Sequence, residues 1–125
     1  MPELPEVETT KRGIEPYLHN QSITKILVRQ KSLRIPFNDN LKKHITQVKI
    51  KNIKRRAKYI VIDFVNEYSM VIHLGMTGNL RASQQKKFLK HDHIIFYLES
   101  GNSLIFNDVR RFGLIQIYKT KESFY

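Results

Sequence analysis

Apolar residues at helical spacing open the chain, and apolar residues at every second position fill most of the remainder. Val7, Ile14 and Leu18 fall on one face of a helix predicted over residues 5–18. Pro5 suits the first helical position, and Glu6 and Glu8 complement the positive end of the helix dipole. Gly13 weakens the helix locally, and Pro16 with His19-Asn20 marks its end. From Ser22 onward the pattern is mostly period two. Strands are predicted over residues 22–29, 46–56, 59–65, 69–74, 93–98, 103–106 and 113–118. Asn66-Glu67 and the run from Glu99 to Asn102 are hairpin turns between them. A short amphipathic helix capped by Asn38 is predicted over residues 38–44, and the polar, basic run 83–90 is expected to be the most mobile loop. One main helix against about eight strands predicts an α+β fold, mostly β, in which the N-terminal helix packs on an antiparallel two-sheet β-sandwich.

Length and composition narrow this picture. A chain of 125 residues fits one domain spanning 1–125, and a chain of that size buries roughly two-thirds of its unfolded surface. It contains no cysteine, so these residues hold neither a disulfide nor a Cys-ligated zinc. No apolar run approaches the ~20 residues of a membrane span, and the acidic, polar N-terminus is unlike a secretory signal. A cytoplasmic protein with no membrane partner is expected. The formal net charge is +11. An excess of this size points to a polyanionic partner, of which nucleic acid is the commonest. An anionic membrane surface, a partner subunit or a ribosomal setting are the other sources of such a charge.

Three loops are richer in special residues than turn chemistry requires: Arg55-Arg56-Ala57-Lys58, His73-Leu74-Gly75-Met76-Thr77-Gly78, and Asn107-Asp108-Val109-Arg110-Arg111-Phe112-Gly113. Each is compatible with a solvated loop. Met76 and Phe112 are poor turn residues unless something apolar receives them. That receiver is either the protein core or a base stack, into which proteins wedge Met, Phe and Leu while Arg lies alongside.

The N-terminus carries a candidate chemistry. Initiator Met is usually trimmed before a residue as small as Pro, which would leave Pro2 with a free secondary amine. An α-amino group has a pKa near 8, so a useful fraction is neutral and nucleophilic at pH 7, unlike a lysine at about 10.4. Such an amine attacks an aldehyde-like carbon to give an iminium. Glu3 and Glu6 are close enough in sequence to supply acid–base steps. Equally, Pro2 and Pro5 shape the start of a helix.

Taken together, these stretches resemble the Fpg/Nei family of bacterial DNA glycosylases. The residues that carry the likeness are Met1–Glu8 with the run from Arg12 to Pro16, then Arg55–Tyr59, His73–Gly78, Lys90–His93 and Asp108–Gly113. Five ordered motifs along the whole chain make the resemblance specific. It implies the N-terminal catalytic domain of a bifunctional glycosylase and AP lyase of base excision repair. By that resemblance Pro2 is the nucleophile, Glu3 the acid at the sugar ring, Glu6 a supporting helix carboxylate, and Lys58 a contact to the phosphate beside the lesion. Met76, Arg110 and Phe112 fill the gap left by a flipped nucleotide, with Arg110 facing the orphaned cytosine. His73, His91 and Arg111 contact phosphates or brace those loops. Met76 and the Arg-Arg-Phe-Gly run favour the oxidised-purine branch, so the implied partner is double-stranded DNA carrying 8-oxoguanine or formamidopyrimidines, bound by a monomer. Relatives run to about twice this length, through a helix–two-turn–helix region and a four-cysteine zinc finger. Zinc is expected only there, and no cofactor within these residues. Val109 stands where the family usually has proline. The remaining alternative is a basic DNA-binding module that lacks catalysis as these 125 residues alone.

Overall fold

The computed structural model describes residues 4–29, 37–38, 40–84, 87–110 and 113–122. Helix α1 (Leu4–Leu18) is followed by eight strands: β1 (Ile23–Val28), β2 (Ile50–Arg56), β3 (Tyr59–Phe64), β4 (Tyr68–His73), β5 (Gly78–Ser83), β6 (Asp92–Leu98), β7 (Ser103–Asp108) and β8 (Leu114–Lys119). They form two four-stranded antiparallel sheets, ordered β1-β6-β7-β5 and β2-β3-β4-β8. The predicted α+β sandwich of about eight strands is the fold observed.

Alternation builds the core. Ile60, Ile62, Phe64, Met70, Ile72, Ile115 and Ile117 point inward from the second sheet, and Ile94, Phe96, Leu104 and Phe106 from the first, into one apolar cluster. Pairings such as Ile62↔Met70 and Met70↔Ile117 keep that face in register across three strands. Val7, Ile14 and Leu18 of α1 join the same cluster. The helix packs on β5, β2 and β3. Because β5 and β2 are the edges of their respective sheets, α1 covers two edges that would otherwise present unpaired backbone. Pro16 lies inside the last turn of α1 rather than ending it. It removes one hydrogen bond near the C-terminus, where few bonds remain to be broken.

Two sequence expectations are corrected, and one strand appears that the pattern did not predict. The helix predicted over 38–44 is a single 3₁₀ turn, Lys42–His44. Asn38 does not cap it: its carboxamide oxygen accepts the Asn40 amide at 2.9 Å and its carbonyl accepts that of Leu41 at 3.1 Å. Such local side-chain bonds compete with a helix. The strand predicted from residue 46 begins at Ile50, because Gln47 has φ of +63° and the segment before β2 makes isolated bridges to Ser22 and Ile23 instead. Strand β5 has little alternation to reveal it, Leu80 being its one large apolar residue, placed opposite Phe106. The loop after β5 is tied down at its far end, where the Leu89 amide donates to Asp92 at 2.7 Å and Arg29 donates to the Leu89 carbonyl at 3.0 Å.

Candidate nucleic-acid interface

The described residues of all three special loops lie at one end of the sandwich. The start of β3 pairs with the end of β4 (Tyr59↔His73), which pairs with the start of β8 (His73↔Leu114). In the other sheet the end of β7 meets the starts of β5 and β6 (Gly78↔Asp108, Asp92↔Asn107). Gly113 links the two sheets at this end: a Cβ there would lie 2.8 Å from the His73 carbonyl oxygen and 2.9 Å from the Asp108 carboxylate.

The first loop is held against α1. Ala57 takes a left-handed φ of +52° to turn the chain between β2 and β3. Arg55 stabilises that turn by donating through one terminal nitrogen to the Ala57 carbonyl at 2.9 Å, while its Nε donates to Glu8 at 2.9 Å. Arg12 binds the other oxygen of Glu8 at 2.9 Å. Arg55, then Arg12, hold the Glu8 carboxyl below the usual glutamate range, against a small opposing push from burial. The turn presenting Lys58 is thereby clamped to α1. Lys58 is exposed, and Glu6 is exposed in the first turn of α1.

The second loop leaves β4 at His73, whose ring meets Tyr59 edge-on at 5.0 Å and whose Nδ1 accepts the Gly75 amide at 3.0 Å. Gly75 takes φ of +64°, and the Gly78 amide closes the turn on the Leu74 carbonyl at 2.8 Å. Met76 at its tip is 54% exposed, so the core is not what receives it. Instead Arg110, from the third loop, lies with a terminal nitrogen 3.6 Å from the Met76 sulfur. Gly78 is required by this closeness, since a Cβ there would lie 2.2 Å from the Leu74 oxygen. Gly78→Ala is expected to lower the unfolding free energy by about 2–3 kcal/mol through overpacking, read from urea denaturation; an unmoved midpoint would mean the turn yields freely.

The β6 end is organised by a buried ion pair. Asp92 accepts both terminal nitrogens of Arg81 at 2.9 and 2.7 Å, Asn107 at 2.8 Å and the Leu89 amide at 2.7 Å. Burial pushes its carboxyl up, but the bonds from Arg81, Asn107 and Leu89 together outweigh that and hold it down at about 2. His91 is half-buried at the rim, whereas His93 is buried and bonds the Asp108 carbonyl, a structural histidine.

The structure therefore gathers Lys58, His73, Met76, His91 and Arg110 along one rim. Pro2, Glu3, Arg111 and Phe112 lie outside the described residues. The sequence pattern gives Glu8 a part only in the helix dipole, and it marks no site role for Arg55, Thr77, Arg81, Asp92 or Asp108. A signal existed for two of them: Asp92 and Asp108 are carboxylates at the ends of apolar strands, where an unpaired charge would be costly.

The helix-edged sandwich that carries this rim has counterparts among known proteins. The family model described as "Formamidopyrimidine-DNA glycosylase N-terminal domain" matches residues 1–115. A formamidopyrimidine-DNA glycosylase of Rickettsia africae (strain ESF-5) is 46% identical over 121 residues, 96% of this chain and 44% of the relative. One from Rickettsia bellii (strain OSU 85-389) is 43% identical over 97% of this chain and 45% of its own. The chain thus spans less than half the length of these relatives. Among solved structures, Lactococcus lactis Fpg in complex with abasic-site DNA superimposes with a TM-score of 0.88 at 32% identity, covering 97% of this chain and 45% of that one. The same protein with DNA containing FAPY-dG gives 0.87 at 32% identity, covering 96% of this chain and 45% of that one.

Proposed function

Since this chain belongs to the formamidopyrimidine-DNA glycosylase family, we propose that the protein excises oxidised purines from double-stranded DNA and then cuts the strand, as a glycosylase and AP lyase of the bacterial cytoplasm. The observation that carries this reading is the exposed Met76 seated against Arg110, on the same rim as Lys58, His73 and His91. At the tip of a tight turn, Met76 presents an apolar side chain to solvent beside a guanidinium, the pairing with which proteins enter a base stack. Flipping a lesion out of the duplex costs a few kcal/mol of stacking, and an inserted Met–Arg–Phe set replaces part of it. Arg110 donates to the orphaned cytosine, and Phe112 wedges the opposite strand. Lys58, His73, His91 and Arg111 hold the phosphates that fix the lesion over the N-terminus.

The chemistry follows from Pro2. Its neutral amine attacks C1′ of the lesion nucleotide, the glycosidic bond breaks, and the base departs with its electron pair and a proton. Glu3 assists by protonating the ring oxygen as the sugar opens, and Glu6 supports that carboxyl. The resulting iminium acidifies the C2′ hydrogen. Loss of that proton expels the 3′ phosphate by β-elimination, and a second elimination releases the 5′ phosphate. This chain lacks cysteine, and among the described residues no three His, Asp or Glu side chains converge on one point. The residues here do not fit the four-cysteine finger of longer relatives.

The test is borohydride trapping of the full-length protein on a duplex with 8-oxoguanine opposite cytosine. A covalent protein–DNA adduct and a nicked strand are expected. Lesion-blind, salt-sensitive duplex binding with no adduct would instead establish a basic DNA-binding module, to which the +11 charge alone also points.

A further inference from the structure

Asp108 is fully buried yet bonds to the Met76 turn, to Gly113 and to the His91–His93 segment. One carboxylate oxygen accepts the Thr77 hydroxyl at 2.5 Å, and the other accepts the Gly113 amide at 2.8 Å. Its own amide donates to the His91 carbonyl at 3.1 Å, and its carbonyl bonds His93. The Thr77 hydroxyl in turn accepts the Arg110 amide at 3.1 Å. The directions are forced. A carboxylate only accepts, so Thr77 must give its single proton to Asp108 and keep its lone pairs for Arg110. The chain Arg110 N–H to Thr77 O–H to Asp108 thus joins the residue after Met76 to the residue that contacts it.

We propose that Thr77 and Asp108 are positioning residues that lock the Met76 turn and the Arg110 loop into one preformed unit, so that discrimination of the base opposite the lesion depends on the Thr77 hydroxyl. This rests on the function proposed above. Neither residue reaches DNA; each acts through Arg110 and Met76. The Arg110 amide fixes the direction in which its side chain leaves the loop, and the contact with Met76 depends on that direction. A loop ordered before binding loses less freedom when it enters the duplex, so preorganisation appears as sharper selectivity. The Thr77 site is half-exposed, whereas Asp108 is sealed. Thr77 is therefore the position at which the lock can be opened without emptying the core.

Single-turnover excision of 8-oxoguanine opposite cytosine and opposite adenine tests this in the full-length protein, alongside borohydride trapping on a single-stranded abasic oligonucleotide. Thr77→Val and Thr77→Ala are expected to lower the cytosine-to-adenine ratio roughly tenfold, the effect of one well-made hydrogen bond. Both should leave single-strand trapping unchanged, and Thr77→Ser should restore the ratio. A ratio unchanged in both hydroxyl-free variants overturns the lock, as does equal loss of all three readouts. Wild-type protein that forms no adduct overturns the proposed function itself, and the lock with it.

Discussion

Replacing Pro2 by glycine is expected to reduce the trapped adduct and strand cleavage by on the order of 10³-fold, in the range that loss of a nucleophile costs, while duplex binding stays within a factor of about two. The secondary amine of an N-terminal proline condenses directly to a charged iminium, which needs no further proton to act as an electron sink. Glycine yields an imine that must first be protonated, and its freely rotating backbone no longer confines the lone pair to one direction. Its amine pKa remains near 8, far below that of lysine at about 10.4, so any residual adduct should come from the N-terminus rather than from one of the many lysines. Mass spectrometry of the N-terminus belongs to the same experiment, because a retained Met1 converts the amine to an amide and should abolish trapping in the unmutated protein. If Pro2→Gly traps as efficiently as wild type, another residue is the nucleophile. Unchanged binding separates this from the phosphate contacts: Lys58 and His73 stand on the rim whether or not the amine is intact.

Breaking the Asp92–Arg81 pair is expected to have the largest effect on stability. Asp92→Ala leaves Arg81, itself only about a quarter exposed, facing an emptied site. It also strips the Leu89 amide and Asn107 of their acceptor. Loss of one partner from a buried pair costs about 3–5 kcal/mol, and the partial exposure of Arg81 places this case near 3. The same carboxylate sets a pH dependence. Its folded pKa of about 2 lies below its ordinary 3.8. A depressed carboxylate contributes stability that is complete above the unfolded value and disappears as pH falls through the folded one. Roughly 2 kcal/mol should therefore be lost between about pH 5 and pH 2. Urea midpoints measured across that window should fall less steeply for Asp92→Asn than for wild type. Parallel curves would show that Asp92 does not titrate with unfolding.

How much was legible in the sequence can be argued from single elements. Residues 5–18 repeat at helical spacing, and the structure has α1 there, because a helix buried along one face must place apolar residues three and four apart. Strands β3, β4 and β6 were legible for the same reason, each being apolar along much of its length and closed by a recognisable turn. Strand β5 was not. Its side chains earn their places by pairing, Leu80 opposite Phe106 and Arg81 across to Asp92, and pairing leaves no local period. The amphipathic helix expected over 38–44 with Asn38 as its cap is instead one 3₁₀ turn, because the Asn38 side chain bonds the Asn40 amide ahead of it. At the rim, Lys58, Met76 and Arg110 stood out as residues that turns do not need, whereas Glu8, Thr77 and Asp108 did not.

The difference between those two groups marks what each level decides. Which chemistry the chain could carry was determined by the sequence: a proline amine at the head of a helix, an excess of positive charge, and apolar residues at the tips of loops. Residue type and local spacing suffice for that, because an amine's basicity and a methionine's apolarity travel with the residue. What only the tertiary structure decided is that Lys58, His73, Met76, His91 and Arg110 share one rim, that Met76 faces outward against Arg110, and that buried carboxylates at Asp92 and Asp108 hold the loops from beneath. Those facts depend on strands 30 or so residues apart being hydrogen-bonded neighbours, and backbone pairing between sheets and loops is invisible to any period along the chain.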